Sequence, residues 1–203
     1  MTPVRASLPI PRRWGAHNRN GTSYAVTSLT PIRPGREAEL EAHLAGLVVS
    51  PFAQLETVHF ARWLILDRLN FAWPGAPRRR TQLRSQYLIF TASVTAPDAA
   101  SARSLPESFL RQIAEQIPQA ADAVWENCVN YPGAGSVDAF TSYLRRSLLD
   151  SVLFHVGYPD ATVHQVRTAL ARRDSLVRFI RSHQGVTDPT QLQQQYVSES
   201  ATW

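Results

Sequence analysis

Apolar and polar residues follow two periods along this chain, one near 2 and one near 3.6 residues, and their order predicts an α+β fold. Tyr24 to Ile32 alternates and is β-branched in part, Pro34-Gly35 breaks it, and Leu40, Leu44 and Leu47 then recur at helical spacing. That reads as strand, turn, amphipathic helix. Glu56 to Asp67 (ETVHFARWLILD) and Gln86 to Val94 (QYLIFTASV) are rich in Val, Ile, Phe, Trp and Leu and predict two further strands. Between them, residues 68–83 carry Trp73, two prolines and Arg78-Arg79-Arg80, a long connection that predicts a lid or an insertion.

Ser104-Leu105-Pro106-Glu107 has the form of a capping box ahead of Phe109, Leu110, Ile113 and Ile117, so a second helix is predicted from about residue 105 to Pro118. The following AVWENCVNY reads as a strand with Trp125, Asn127, Val129 and Tyr131 on one side, or as a kinked continuation of the helix. Taken as a strand, it completes the order β-α-β-β-α-β, a ferredoxin-like domain over residues 23–132. Residues 133–186 then predict a helical extension, with Asp138 capping Phe140, Tyr143, Leu144 and Leu148, and a capping box Thr162 to Gln165 ahead of Val166, Leu170, Val177 and Ile180. Residues 1–22, rich in proline and arginine, predict a flexible arm, and the Gln- and Ser-rich residues 187–203 a loose tail.

Composition narrows the chemistry. With 203 residues and 44% hydrophobic content the chain supports one well-buried core. All 21 basic residues are arginine, which removes Schiff-base, pyridoxal-phosphate and P-loop chemistry, each of which needs a lysine ε-amine. The net charge of +5 is spread from Arg5 to Arg181, a distribution that makes nucleic acid an unlikely partner. Cys128 is the single cysteine, so no disulfide framework or cysteine zinc site is expected. With no apolar leader and no long apolar run, the expectation is a reduced, cytoplasmic protein without a membrane span. HExxH, GxSxG, GxGxxG and EF-hand patterns are absent, and no metal is predicted.

Candidate chemistry gathers where polar groups interrupt apolar strands. His59 and Arg62 are embedded in such a run, where a buried polar group without a partner costs about 1–3 kcal/mol, so each needs a partner or a purpose. Alternation sends His59, Ala61 and Trp63 to one side and Phe60 and Arg62 to the other. Glu126 is the carboxylate nearest in pattern to a general acid or base, and Tyr87, Trp125 and Tyr131 are candidates, with Trp63, to line a substrate pocket. His155, ahead of Gly157-Tyr158-Pro159, is placed at a helix end, where an imidazole meets the terminal carbonyl dipole.

Three segments carry a family resemblance. Val58-His59-Phe60-Ala61-Arg62-Trp63, then Val124-Trp125 with Cys128 and Tyr131-Pro132, then Gly157-Tyr158-Pro159 with Thr162-Val163, resemble the dimeric α+β barrel superfamily, and within it a poorly characterised bacterial group. The resemblance spans about residues 24–180. It implies association with haem peroxidase and lipoxygenase-type proteins and haem as an alternative cofactor, for which His155 is this chain's own alternative ligand; separately, a sheet covered by helices on one side predicts a homodimer formed face to face through sheets. The chain departs from the group at Tyr143-Leu144-Arg145-Arg146-Ser147, where the resemblance calls for a histidine. Since this fold hosts many activities, it does not fix one.

The expectation is a small-molecule enzyme of specialised metabolism using no cofactor, in which His59 or Glu126 moves protons and Arg62 holds an anionic or enolate oxygen during cyclisation, isomerisation or oxygenation. The alternatives are a haem-dependent oxidoreductase and a non-catalytic, partner-binding accessory protein.

Overall fold

The computed structural model describes residues 17–69, 81–96 and 101–203, in two compact units, one ending at Asp160 and the other spanning Ala161–Trp203. The first unit is α+β. Its strands are β1 (Arg19–Asn20), β2 (Ser23–Pro31), β3 (Val58–Leu69) and β4 (Thr81–Thr95), in a four-stranded antiparallel sheet of order β1-β2-β4-β3. Its helices are α1 (Glu37–Ala45), α2 (Ser101–Gln116), α3 (Pro118–Trp125) and α4 (Val137–Arg146), with a short 3₁₀ turn at Pro51–Gln54.

The period-2 pattern decides which sheet face is covered. Tyr24, Val26 and Ile32 at β2, and Leu88, Phe90, Ala92 and Val94 on β4, point inward and form one core with Leu40, Phe52 and Leu55. The helices add Phe109, Leu110 and Ile113 from α2, Val124 and Trp125 from α3, and Phe140 and Leu144 from α4 to that core. α4 starts where Ser136 Oγ accepts from the Ala139 amide, with Asp138 in its first turn; the predicted cap sits two residues too late.

The segment expected as a fourth strand, residues 123–131, is helix only as far as Trp125 and a run of turns after it. Pro118, read as a terminator, stands in the first turn of α3, where its missing N–H costs nothing, and α3 runs to Trp125. Only an isolated bridge between Cys128 and Ile32 remains of the expected strand. The outer edge of β2 is instead closed by three short pieces. The Ala25 amide donates to Asn18 O, Leu29 N to Ser147 O with Leu149 N returning to Thr27 O, and Arg33 N to Asn127 O with Val129 N returning to Pro31 O. Proline at position 31 fits, because only its carbonyl is used on that edge.

Other expectations shift. α2 begins at Ser101, so Pro106 lies inside the helix rather than in a cap ahead of it. Residues 187–203, read as a loose tail, carry a helix in the second unit. There α5 (Val163–Ser182) opens on a complete capping box of Thr162 and Gln165, as the sequence predicts, and α6 (Pro189–Ser200) is capped by Asp188. Phe179 of α5 stacks on His183 and meets Tyr196 and Trp203 edge to face, which fixes α6 against α5. Of the expected arm, residues 1–16 lie outside the described residues and Arg19–Asn20 form β1. Of the expected lid, residues 70–80 lie outside them, between the end of β3 and the start of β4. No helix among the described residues is long and apolar enough to cross a membrane.

Candidate functional site

The sheet separates the predicted site residues into two groups. Trp63 faces inward from β3 and Trp125 meets it from the end of α3, ring centroids 5.8 Å apart at 73°. Phe52 and Phe90 complete the cluster, with centroids 4.8 and 6.0 Å from the Trp63 ring. This interior is close-packed aromatic core. The indole N–H groups of both tryptophans are buried without a hydrogen-bond partner among the described residues.

Tyr131 belongs to the same side, where its hydroxyl donates to Asp122 Oδ1 at 2.7 Å beside the Ala134 amide, which donates to the same oxygen at 2.7 Å. Burial, with the Asp122 carboxylate second, drives the Tyr131 hydroxyl far above its ordinary range, so it serves as a hydrogen-bond donor and not as an acid. Tyr143 donates likewise to Val129 O and is raised mainly by burial. Cys128, fully buried beside the Thr30 hydroxyl, has its thiol pushed up to about 11 by burial, the state of an inert packed residue. Glu126 caps the C-terminal end of α3 with its side chain exposed, and is not enclosed with His59.

The outward face carries the other group. Pairing registers lay out its rows across three strands: Phe60, Ser93 and Ala25; Arg62, Thr91 and Thr27; Leu64, Ile89 and Leu29; Leu66, Tyr87 and Pro31. Ser93, Thr91 and Thr27 put three small hydroxyl-bearing side chains in two adjacent rows, next to bulky apolar ones. Arg62 lies over them: its Nε donates to Thr91 Oγ1 at 3.1 Å and its guanidinium carbon sits 5.8 Å from the Phe60 ring centroid. Arg62 forms no ion pair among the described residues.

His59 escapes simple alternation. The register shifts between Val58 and Phe60, so His59 is the extra residue of a β-bulge, and its Nε2 meets Thr95 Oγ1 at 3.0 Å. Burial pulls its imidazole below the ordinary value, which favours the neutral ring, a proton acceptor. His59 and Arg62 thus stand three residues apart on one strand, while Tyr87 closes the far end of the same face. The bulge is what sequence reasoning missed; no local glycine or proline marks it.

His155 is exposed on the irregular stretch after α4, not at a helix end. An axial haem ligand needs an enclosed apolar slot, and His155 does not fit that role. Among the described residues no group of three or more His, Cys, Asp or Glu is placed to hold a metal ion. A small cleft between Asn18, Tyr24, Thr27, Pro106, Leu148 and Leu149 offers about 20 Å³, room for little more than a water molecule and far below the roughly 300–1,000 Å³ of ordinary ligand sites.

Comparison with known proteins found no matching family model, no matching curated protein and no matching solved structure.

Proposed function

We propose that the chain handles a small anionic molecule on the outward face of its sheet, and that a second copy laid over this face supplies the other wall of the site. The observation that carries the reading is Arg62, a full positive charge without a carboxylate partner among the described residues, set on Phe60 and above Thr91. Arginine in such a setting matches a carboxylate or enolate oxygen with two parallel N–H bonds. His59, neutral near pH 7 and anchored by Thr95, is the group available to accept a proton beside it. The expected chemistry is cofactor-independent cyclisation, isomerisation or oxygenation of an already activated substrate.

The need for a second copy follows from shape. A sheet face is open on one side, and Phe60 at 52% exposure and Leu64 at 41% leave apolar surface next to the arginine. The same exposure favours a second reading, in which the face binds a protein partner and performs no chemistry.

Native mass spectrometry of the purified chain, with its ultraviolet–visible spectrum, tests the proposal. Expected are a species near twice 22.7 kDa and a retained small molecule that Arg62→Ala loses while the far-ultraviolet dichroism is unchanged. A monomer at micromolar concentration, or Arg62→Ala and His59→Ala variants that keep the molecule, would sink it. A dimer that retains nothing and turns over nothing points to the second reading.

A further inference from the structure

A second surface is left unused by that reading. α5 is a 20-residue helix, but its buried side chains are only Val163 and Phe179. Val166, Leu170, Val177 and Ile180 recur at steps of four, seven and three residues, so they form one stripe along the helix. Each of the four is between 37% and 54% exposed. Phe179, the side chain that meets α6, lies off this stripe. The stripe has the spacing of a helix-pairing seam.

Charge says what covers it. α5 carries Arg167, Arg172, Arg173, Arg178 and Arg181 against Asp174 as its one acidic residue. Arg173 falls within the stripe, three residues after Leu170 and four before Val177, and its guanidinium now turns to the neighbouring Asp174 carboxylate at 2.9 Å. A second copy of the helix would bring arginine against arginine in either direction, which is destabilising. A bilayer would draw Arg173 into the apolar layer, and the stripe lacks the aromatic anchors of interfacial helices. An apolar seam with carboxylates along its flanks satisfies both demands.

We propose that the exposed face of α5 is a docking site for an acidic amphipathic helical segment of another protein. Val166, Leu170, Val177 and Ile180 take its apolar side chains, and Arg173 within the stripe and Arg181 on its flank pair with its carboxylates.

The test uses the full chain and a fluorescein-labelled synthetic peptide of 21 residues, with leucine at heptad positions and glutamate on both flanks, read by anisotropy. An otherwise identical lysine-flanked peptide is the control. Expected is binding of the glutamate peptide at least tenfold tighter than the lysine peptide, weakened as salt is raised. Val177→Asp and Arg181→Glu should each lose at least tenfold, with unchanged helix content by circular dichroism. Because Arg181 is an exposed side chain, its reversal keeps the test informative if Val177→Asp unfolds. Equal binding of the two peptides overturns the proposal. So does binding to phosphatidylserine vesicles without binding to the peptide, or a dimer that Val177→Asp dissociates.

Discussion

Trp63 on the edge strand β3 and Trp125 at the end of α3 meet edge to face with ring centroids 5.8 Å apart, and that contact ties the sheet edge to the helical layer. Phe90 on β4 touches both rings, and Phe140 of α4 closes the far side of Trp125. Trp125→Ala should therefore lower unfolding stability by about 3–5 kcal/mol, while Trp125→Phe should cost clearly less. Urea denaturation followed by far-ultraviolet dichroism measures both, and a loss below about 1 kcal/mol for the alanine variant would show that the cluster is not tightly packed.

His59 gives the fold a dependence on acid. Its imidazole is depressed by burial, so the unfolded chain binds the proton more readily than the folded one, and stability falls as pH drops below the ordinary histidine value near 6.5. The urea midpoint should decrease between pH 7.5 and 5.5, and His59→Gln should remove part of that decrease. An unchanged slope in the variant assigns the effect to other groups.

Gly21 sits in the turn between β1 and β2 at φ +60°, and a Cβ there would collide with the Pro159 carbonyl oxygen. Thr22 bonds that same oxygen through both its amide, at 2.6 Å, and its hydroxyl, at 3.0 Å. Gly21→Ala should cost at least about 1 kcal/mol and release the stretch ending at Pro159. Limited proteolysis should then cut between Val152 and Tyr158 at a higher rate than in the parent; equal rates would show that the clasp is dispensable.

In the second unit, Asp188 Oδ1 accepts from the Thr190 amide at 2.9 Å and from the Gln191 amide at 3.4 Å, and Trp203 packs on Tyr196 and Phe179. Asp188→Ala should remove about 1 kcal/mol from α6. Trp203→Ala should raise amide exchange across Pro189–Ser200. Exchange unaltered in both variants would mean that α6 is held by something other than its cap and its aromatic contacts.

The strands were legible because alternation and β-rich composition are strong constraints: Val26, Leu88, Phe90 and Val94 fall in the segments read as strands and are buried. The same rule separates Trp63 from Arg62, and the structure keeps them on opposite faces. It fails at His59, since a bulge adds one residue without changing composition. It fails also at residues 123–131, where a short apolar run fits either period: Pro118, which starts a helix as readily as it ends one, opens α3, and the chain leaves that helix after Trp125. α6 was hidden by its polarity: Tyr196 and Trp203 are the aromatic side chains that hold it to Phe179, too few to make a stripe. The candidate site was legible as residues and not as a place, because Trp125 and Tyr87 reach opposite sides of the sheet through elements whose pairing the sequence does not encode locally.

The patchwork edge of β2 has a consequence for biosynthesis. Asn18 is bonded to Asp150 across 132 residues of chain, and Thr27 receives the Leu149 amide over a comparable span. At about 5–20 residues per second, a ribosome needs roughly 7–26 seconds to deliver those partners after the first strand has emerged. Throughout that interval the nascent chain presents a raw strand edge, able to pair with the same edge of a neighbouring nascent chain.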